Sequence, residues 1–361
     1  MISQEHSAWT NIAAPFNDDV HWDRPRYSFP VEGDANAVSR ATSAPFMNAF
    51  TFLDANKWFD LNKYHFLRFI DRLALRLGPT YVAPNERNPR KSFSILKQAP
   101  NGVYVAVGTE RGFIGAAATP NASHLLLADT DESTVLFNRL NVILLKLSKD
   151  RTDYIHLREK ADFYEWSRRA TEAELTADER TLMANHKVFY FWSWHVRNFF
   201  FLRAYSVWSL LPSTFYFSHY MFNNERFRHI QEMAKLDRIK AVPINLSDTP
   251  KVERLVEALS TANLRLSILD LSNAWWRAYI DRSSLVALVK KFAQISTDQS
   301  IFMITSDANI WYLKQIWKYF GFRLKEVASE DNLNKALNGD RRIHGYRPNK
   351  LQNVDSCEDI F

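Results

Sequence analysis

Two short apolar runs place the strongest constraint on the fold. GVYVAVG at 102–108 is valine-rich and bounded by glycine, and HLLLAD at 124–129 closes on an acid. A strand buried on both faces shows such a continuous run, whereas a half-solvated strand alternates. Between the two runs, Phe113 to Ala118 reads as a helical patch. The DTDES segment starts another helix reaching about Lys149, with Val135, Leu136, Leu140, Ile143 and Leu147 inward. Strand, helix, strand, helix in this order is the unit of a parallel sheet.

The alternation resumes near the other end of the chain. RIKAVPINL (238–246), RLSILDL (265–271) and SIFMITS (300–306) are expected strands. Thr249 is the expected N-cap of a helix to about Ser260, with Pro250 at its first helical position. Asp281 caps another helix to about Ala293. Asp307 opens one ending at Gly321, and FRLKEVA follows as a last strand.

Between these halves the strand pattern vanishes. The expected organisation is an N-terminal arm and helices (1–98), the first half of an α/β domain (99–150), a helical insertion (151–236), the second half (237–335) and a C-terminal tail (336–361). The first part includes an amphipathic helix from Asp60 to Leu77, stopped by Gly78 and Pro79. In the insertion, Thr176-Ala-Asp-Glu179 is a capping box, and its helix is expected to run through KVFYFWSWHVRNFFFLRAYSVWSLL to Pro212. Arg197 and Arg203 interrupt the apolar run, so no transmembrane segment is expected. The aromatic helix fits a buried core, with an interfacial helix or the wall of an apolar cleft as alternatives.

Composition narrows the function classes. The 361 residues carry 46 Lys+Arg against 40 Asp+Glu, and 46% are apolar, which excludes a collagen-like, coiled-coil or disordered chain. A net charge of +6 gives no strong nucleic-acid signal. The single cysteine, Cys357, excludes an internal disulfide and a cysteine-based zinc site. His186, His195, His219 and His229 lack the i, i+4 spacing of a metal pair, so no metal is expected. The N-terminus shows no secretory pattern, and a cytoplasmic location is the expectation. The tail NGDRRIHGYRPNKLQN is basic and reads as peripheral, with phosphate contact as an alternative.

Ligands of a doubly wound sheet bind outside the carboxyl ends of its strands. Here those ends carry Gly108–Gly112, Asp129, Asn245, Asp270–Asn273 and Ser306–Asn309. Four of the nine glycines, Gly102, Gly108, Gly112 and Gly115, fall in one stretch, as expected where a strand turns sharply into a helix against a ligand. Asp129 follows Gly108 at the offset where a carboxylate accepts ribose hydroxyls. A tight βα turn beside a solvated acid is the plainer alternative.

From YVAVG through Asp129 to FNRLN, the chain resembles the first two motifs of the class I S-adenosylmethionine-dependent methyltransferases. The resemblance implies a Rossmann-like methyltransferase fold, with S-adenosylmethionine as cofactor and methyl transfer to an unknown acceptor. Gly108 and Gly112 match outer glycines of the family's loop, and Asp129 its ribose acid. Asn245 falls near the adenine position. Asp270 ends the strand carrying the family's catalytic motif, and Gly321-Phe322 resembles the pair leading into its final strand. Ala106 stands in place of the leading acid and Glu110 in place of the middle glycine. Either Glu110 meets the cofactor's amino group and Arg111 its carboxylate, or the loop binds something else. Asp270 and Asn273, followed by Trp275 and Trp276, are the catalytic candidates; capping and packing are their alternatives. YMFNNERFRHIQEMAKLDRIKAVPINLSD with LSILDLSNAW is similar to betaine-lipid-forming aminocarboxypropyl transferases, which implies a lipid-like acceptor. A non-catalytic binding protein on a degenerate loop is the competing class.

Overall fold

The computed structural model describes Phe46 and residues 89–196, 218–276, 279–310, 314–337 and 345–346. The arm, the expected helix over 60–77, most of the tail and the end of the aromatic stretch lie outside the described residues.

A short helix, α1 (Phe93–Leu96), leads into the sheet. Strand β1 (Gly102–Ala106) is followed by α2 (Glu110–Ala117), β2 (Ala122–Asp129) and α3 (Glu132–Leu147). Four helices then intervene: α4 (Arg151–Glu159), α5 (Phe163–Glu172), α6 (Ala177–Met183) and α7 (His186–His195). After α8 (Asn224–Lys235) come β3 (Ile239–Pro243), α9 (Thr249–Thr261), β4 (Leu266–Ser272), α10 (Arg282–Ala293), β5 (Ser296–Ile310), β6 (Lys314–Arg323), α11 (Glu330–Leu337) and β7 (Gly345–Tyr346).

The strands form one sheet in the order β3-β2-β1-β4-β5-β6-β7. The pairings among β1 to β5 are parallel; β6 is antiparallel to both neighbours. The fold is α/β and Rossmann-like, with a mostly parallel sheet, helices on both faces and a helical interruption between β2 and β3. Chain travel reverses across β1, so the switch point lies between β1 and β4.

Burial on both sides explains the unbroken apolar runs. Tyr104 and Ala106 of β1 join Leu125 and Leu127 in the core beneath α2 and α3. Val103 and Val105 join Leu126, Val242 and Leu269 in the core beneath α9 and α10. Tyr154, Trp166, Met183 and Trp192 of the intervening helices enter the first core, so these helices pack as part of the same body as the sheet.

Several local expectations are revised. The span expected as a helix from Asp307 to Gly321 instead continues β5 and forms β6, with pairing from Ile301–Arg323 to Ile310–Lys314. The sequence IWKYFGF (316–322) is dense in aromatic and β-branched residues, which favour a pleated surface. Gly321 and Phe322 lie within β6, not before a final strand, and Glu326–Ala328 is a single 3-10 turn. The capping box forms, but its helix stops at Met183 because Asn185 caps a new one through Lys187 N. Asp248, one residue before the expected Thr249, caps α9 by accepting from Lys251 N.

Candidate functional site at the strand ends

At the end of β1, Val107 N donates to the Asp270 carbonyl at 3.3 Å, tying this tip to β4. Gly108 then takes a left-handed φ of +79°. Such a dihedral favours glycine. A Cβ placed there would meet nothing within 4 Å, so the space beside this backbone is open. Gly112 does a different job: its missing Cβ is what lets α2 lie against Leu127 and Ala106.

Gly108 is held at both of its polar groups. Its N–H donates to Asp129 Oδ2 at 2.9 Å, and its carbonyl accepts from Asn138 Nδ2 at 2.9 Å. Asp129 Oδ1 accepts from Asp131 N at 2.9 Å. No salt bridge reaches Asp129 among the described residues. Burial pushes its carboxyl up to about 6, against the pull of the N–H groups of Asp131 and Gly108 and with a further push from the Asp131 charge. Asp131 itself caps α3, accepting from Ser133 N and Thr134 N.

Ile244 N donates to the Asp129 carbonyl at 2.9 Å, which brings the end of β3 beside this acid. Asn245 follows there, exposed, with its Oδ1 accepting from Ser247 N at 2.9 Å and Ser247 Oγ at 2.6 Å. The structure therefore brings Gly108, Asp129 and Asn245 to one edge.

Asp270 and Arg111 have a different setting. Asp270 Oδ2 accepts from Tyr104 OH at 2.6 Å and pairs with Arg111 Nη2 at 3.2 Å; Oδ1 accepts from Ser272 N at 3.0 Å. Both charged side chains are buried, and the Arg111 guanidinium lies over the Tyr319 ring, 5.0 Å from its centroid. Asp270, the expected substrate contact, and Arg111, the expected partner of the cofactor carboxylate, are thus joined to each other in a buried ion pair. Ser272 takes a φ of +50°, and half-buried Asn273 follows it at the tip. Trp275 Nε1 donates to the Thr305 carbonyl at 2.7 Å, so this tryptophan fastens the loop to β5.

Glu110 also has partners of its own. Arg158 Nη2 of α4 lies 2.5 Å from Oε1, and His219 Nε2 lies 2.7 Å from Oε2. His219 Nδ1 accepts from Met221 N at 3.2 Å, so the ring proton sits on Nε2 and points at Glu110. Arg158 Nη1 continues to Tyr154 OH and Asn141 Oδ1. Burial raises the Glu110 carboxyl, but Arg158 and His219 outweigh it and hold it at about 2. Burial keeps His219 below its ordinary value, consistent with a neutral ring. Glu110, the expected partner of the cofactor's ammonium, thus sits in a buried network joining the intervening helices to the glycine loop.

Asn138 was not among the sequence candidates, and Ser272 was included only as part of the strand-end stretch Asp270–Asn273. Asn138 left only a weak signal, because Thr134 and Asn141 are polar and buried on the same helix. The left-handed backbone of Ser272, with its N–H on Asp270 Oδ1, left no signal in the sequence. No group of three potential metal ligands occurs among the described residues, and none of the described helices is long and apolar enough to cross a membrane.

A protein-family model described as Domain of unknown function (DUF7790) matches residues 81–353, a span containing every strand of the sheet. A comparison with curated proteins gives no match.

Proposed function

The chain belongs to the DUF7790 family, a domain of unknown function, and we propose that it is an S-adenosylmethionine-dependent transferase that transfers a methyl group to a small-molecule or lipid-like acceptor. The observation that carries this reading is the pairing of Gly108 with Asp129 at the switch point: an open left-handed glycine whose N–H rests on a half-buried carboxylate that has no cation among the described residues. An acid kept partly desolvated and uncompensated is costly to the fold alone. Lone pairs left on Asp129 accept the two ribose hydroxyls, and the Gly108 backbone permits close approach of the ligand. Asn245 would hold the adenine side. Gly112 acts through packing, while Glu110 and Arg111 brace the loop through Arg158, His219 and Asp270.

When bound, the cofactor supplies an electrophilic methyl group on sulfur. The contribution of this chain to transfer is alignment, since in-line displacement depends on placement of the two reactants more than on strong acid–base chemistry. Asn273 at the β4 tip is the residue placed to orient the acceptor. Asp270, neutralised by Arg111, positions that tip through Ser272.

The internal pairing of Glu110 and Arg111 also favours a second reading, a nucleoside-binding protein without transfer, because neither loop charge is left for the amino acid portion of the cofactor. Calorimetric titration with S-adenosylmethionine and S-adenosylhomocysteine tests the binding claim, and absence of binding at millimolar ligand overturns it. Chromatography of reactions containing cell extract or lipid tests the chemistry. S-adenosylhomocysteine is the expected product. Methylthioadenosine above its spontaneous rate replaces methyl transfer with aminocarboxypropyl transfer, and neither product leaves the non-catalytic reading.

A further inference from the structure

Asn138 is completely buried on α3, as are the polar residues Thr134 and Asn141 of the same helix. The Asn141 amide is met by Tyr154 and Tyr220, whereas that of Asn138 reaches the glycine loop. Its Nδ2 donates to the Gly108 carbonyl at 2.9 Å, thirty positions away in the chain. That carbonyl accepts only, so the amide must present its NH2 to it, and this orientation leaves Oδ1 as the other end. Oδ1 is buried with no hydrogen-bond partner among the described residues. A lone buried amide oxygen lowers stability. Leucine at this position would avoid that cost.

We propose that Asn138 is a positioning residue of the strand-end site, holding Gly108 left-handed so that the glycine N–H stays on Asp129 and the backbone stays open to the ligand. Gly108 is clamped between two side chains, Asp129 from the end of β2 and Asn138 from the middle of α3. The carbonyl belongs to the 108–109 peptide and the N–H to the 107–108 peptide, so the two bonds together fix φ and ψ of Gly108. Release of the carbonyl lets these dihedrals relax from the left-handed region, and the hold of the N–H on the carboxylate weakens. What fills the site rests on the nucleoside reading above; the hold on Gly108 does not.

This arrangement has a readout that packing alone would not move. The Gly108 N–H favours the ionised form of Asp129, so its departure raises the pH at which Asp129 titrates. Among the described residues, the groups facing Asp129 are few: Asp131 at the start of α3 is the charged one, Thr130 contributes its N–H, Gly108 comes from the β1 side, and Pro243 and Ile244 come from the end of β3.

The test uses the full chain with carbon-13-labelled aspartate carboxyls, the Asp129 signal being assigned by its absence in Asp129→Asn. In Asn138→Leu, the Asp129 midpoint is expected to rise by about half a pH unit or more, while the melting temperature stays level or increases. Affinity for S-adenosylhomocysteine is expected to fall about fivefold, the fold-change of one neutral hydrogen bond. An unchanged midpoint in folded Asn138→Leu overturns the proposal. Asn138→Ala provides the same measurement if leucine prevents folding. If wild type does not bind S-adenosylhomocysteine, the nucleoside reading fails, and the carboxyl titration still decides the role of Asn138.

Discussion

Two acids end neighbouring regions of this sheet, and they are treated in opposite ways. Asp270, at the tip of β4, is fully buried and receives Arg111, Tyr104 OH and Ser272 N. Asp129, at the tip of β2, is only half-buried, and it has the backbone N–H groups of Gly108, Thr130 and Asp131 and no cation among the described residues. Each acid holds a left-handed neighbour, Ser272 in one case and Gly108 in the other. The difference separates architecture from binding. A buried charge that serves the fold is neutralised where it stands, whereas a carboxylate left with spare lone pairs beside an open glycine keeps capacity for a ligand.

The largest expected effect comes from breaking the neutralised side. Arg111→Met leaves Asp270 buried without its cation and is expected to cost about 3–5 kcal/mol in urea unfolding. Adding Asp270→Asn should restore part of that loss. If Asp129→Asn destabilises the protein as much as Arg111→Met, the contrast between the tips is wrong. Glu110→Gln belongs to the same class, because it strands Arg158. It should lower stability, and weaken S-adenosylmethionine and methylthioadenosine alike. A selective loss for S-adenosylmethionine would return Glu110 to the cofactor's ammonium.

On the binding side, Asp129→Ala is expected to weaken a nucleoside ligand by roughly 1.5–3 kcal/mol, the scale of charge-assisted hydrogen bonds, without unfolding the chain. Asp131→Ala should do the reverse. It removes the α3 cap, costing about 0.5–2 kcal/mol of stability while leaving affinity nearly intact. Thermal melting and calorimetry on the two variants separate the roles.

The two depth-shifted acids also differ in pH behaviour. Asp129 is raised to about 6, so the stability associated with its protonated form is complete below the ordinary carboxylate value and is lost as pH rises through about 6. Glu110 is held at about 2, so its stability is present above the ordinary glutamate value and is lost as pH falls toward 2. Ligand affinity, which uses ionised Asp129, should fall as pH drops through about 6. An affinity that is flat from pH 5 to 8 would remove Asp129 from the contact.

The parts of this molecule legible in its sequence are those governed by neighbours in the chain. The runs around Val105, Leu126 and Leu269 mark buried strands because both faces are covered, and Asp131, Thr176 and Asp281 mark helix starts because their cap partners lie two or three residues on. IWKYFGF misleads, since its aromatic spacing suits a helix while its residue types suit β6, and the pairing with β5 decides. The site charges were visible as residues but not as pairs. Arg111 finds Asp270 across 159 positions and Glu110 finds His219 across 109, and nothing local in the chain announces such contacts. The Gly108–Asp129 match was legible because glycine and acid each end a strand that the sequence itself marks, on two strands that pair directly.

Calorimetric titration of S-adenosylhomocysteine into wild type, Asp129→Ala and Asp131→Ala at neutral pH tests the central assignment most directly. Wild type is expected to bind, with affinity lost by about tenfold or more in Asp129→Ala and held within about threefold in Asp131→Ala. No binding by wild type at millimolar ligand, or equal losses in the two variants, would contradict the assignment of the β2 tip as the ligand-facing end of the sheet.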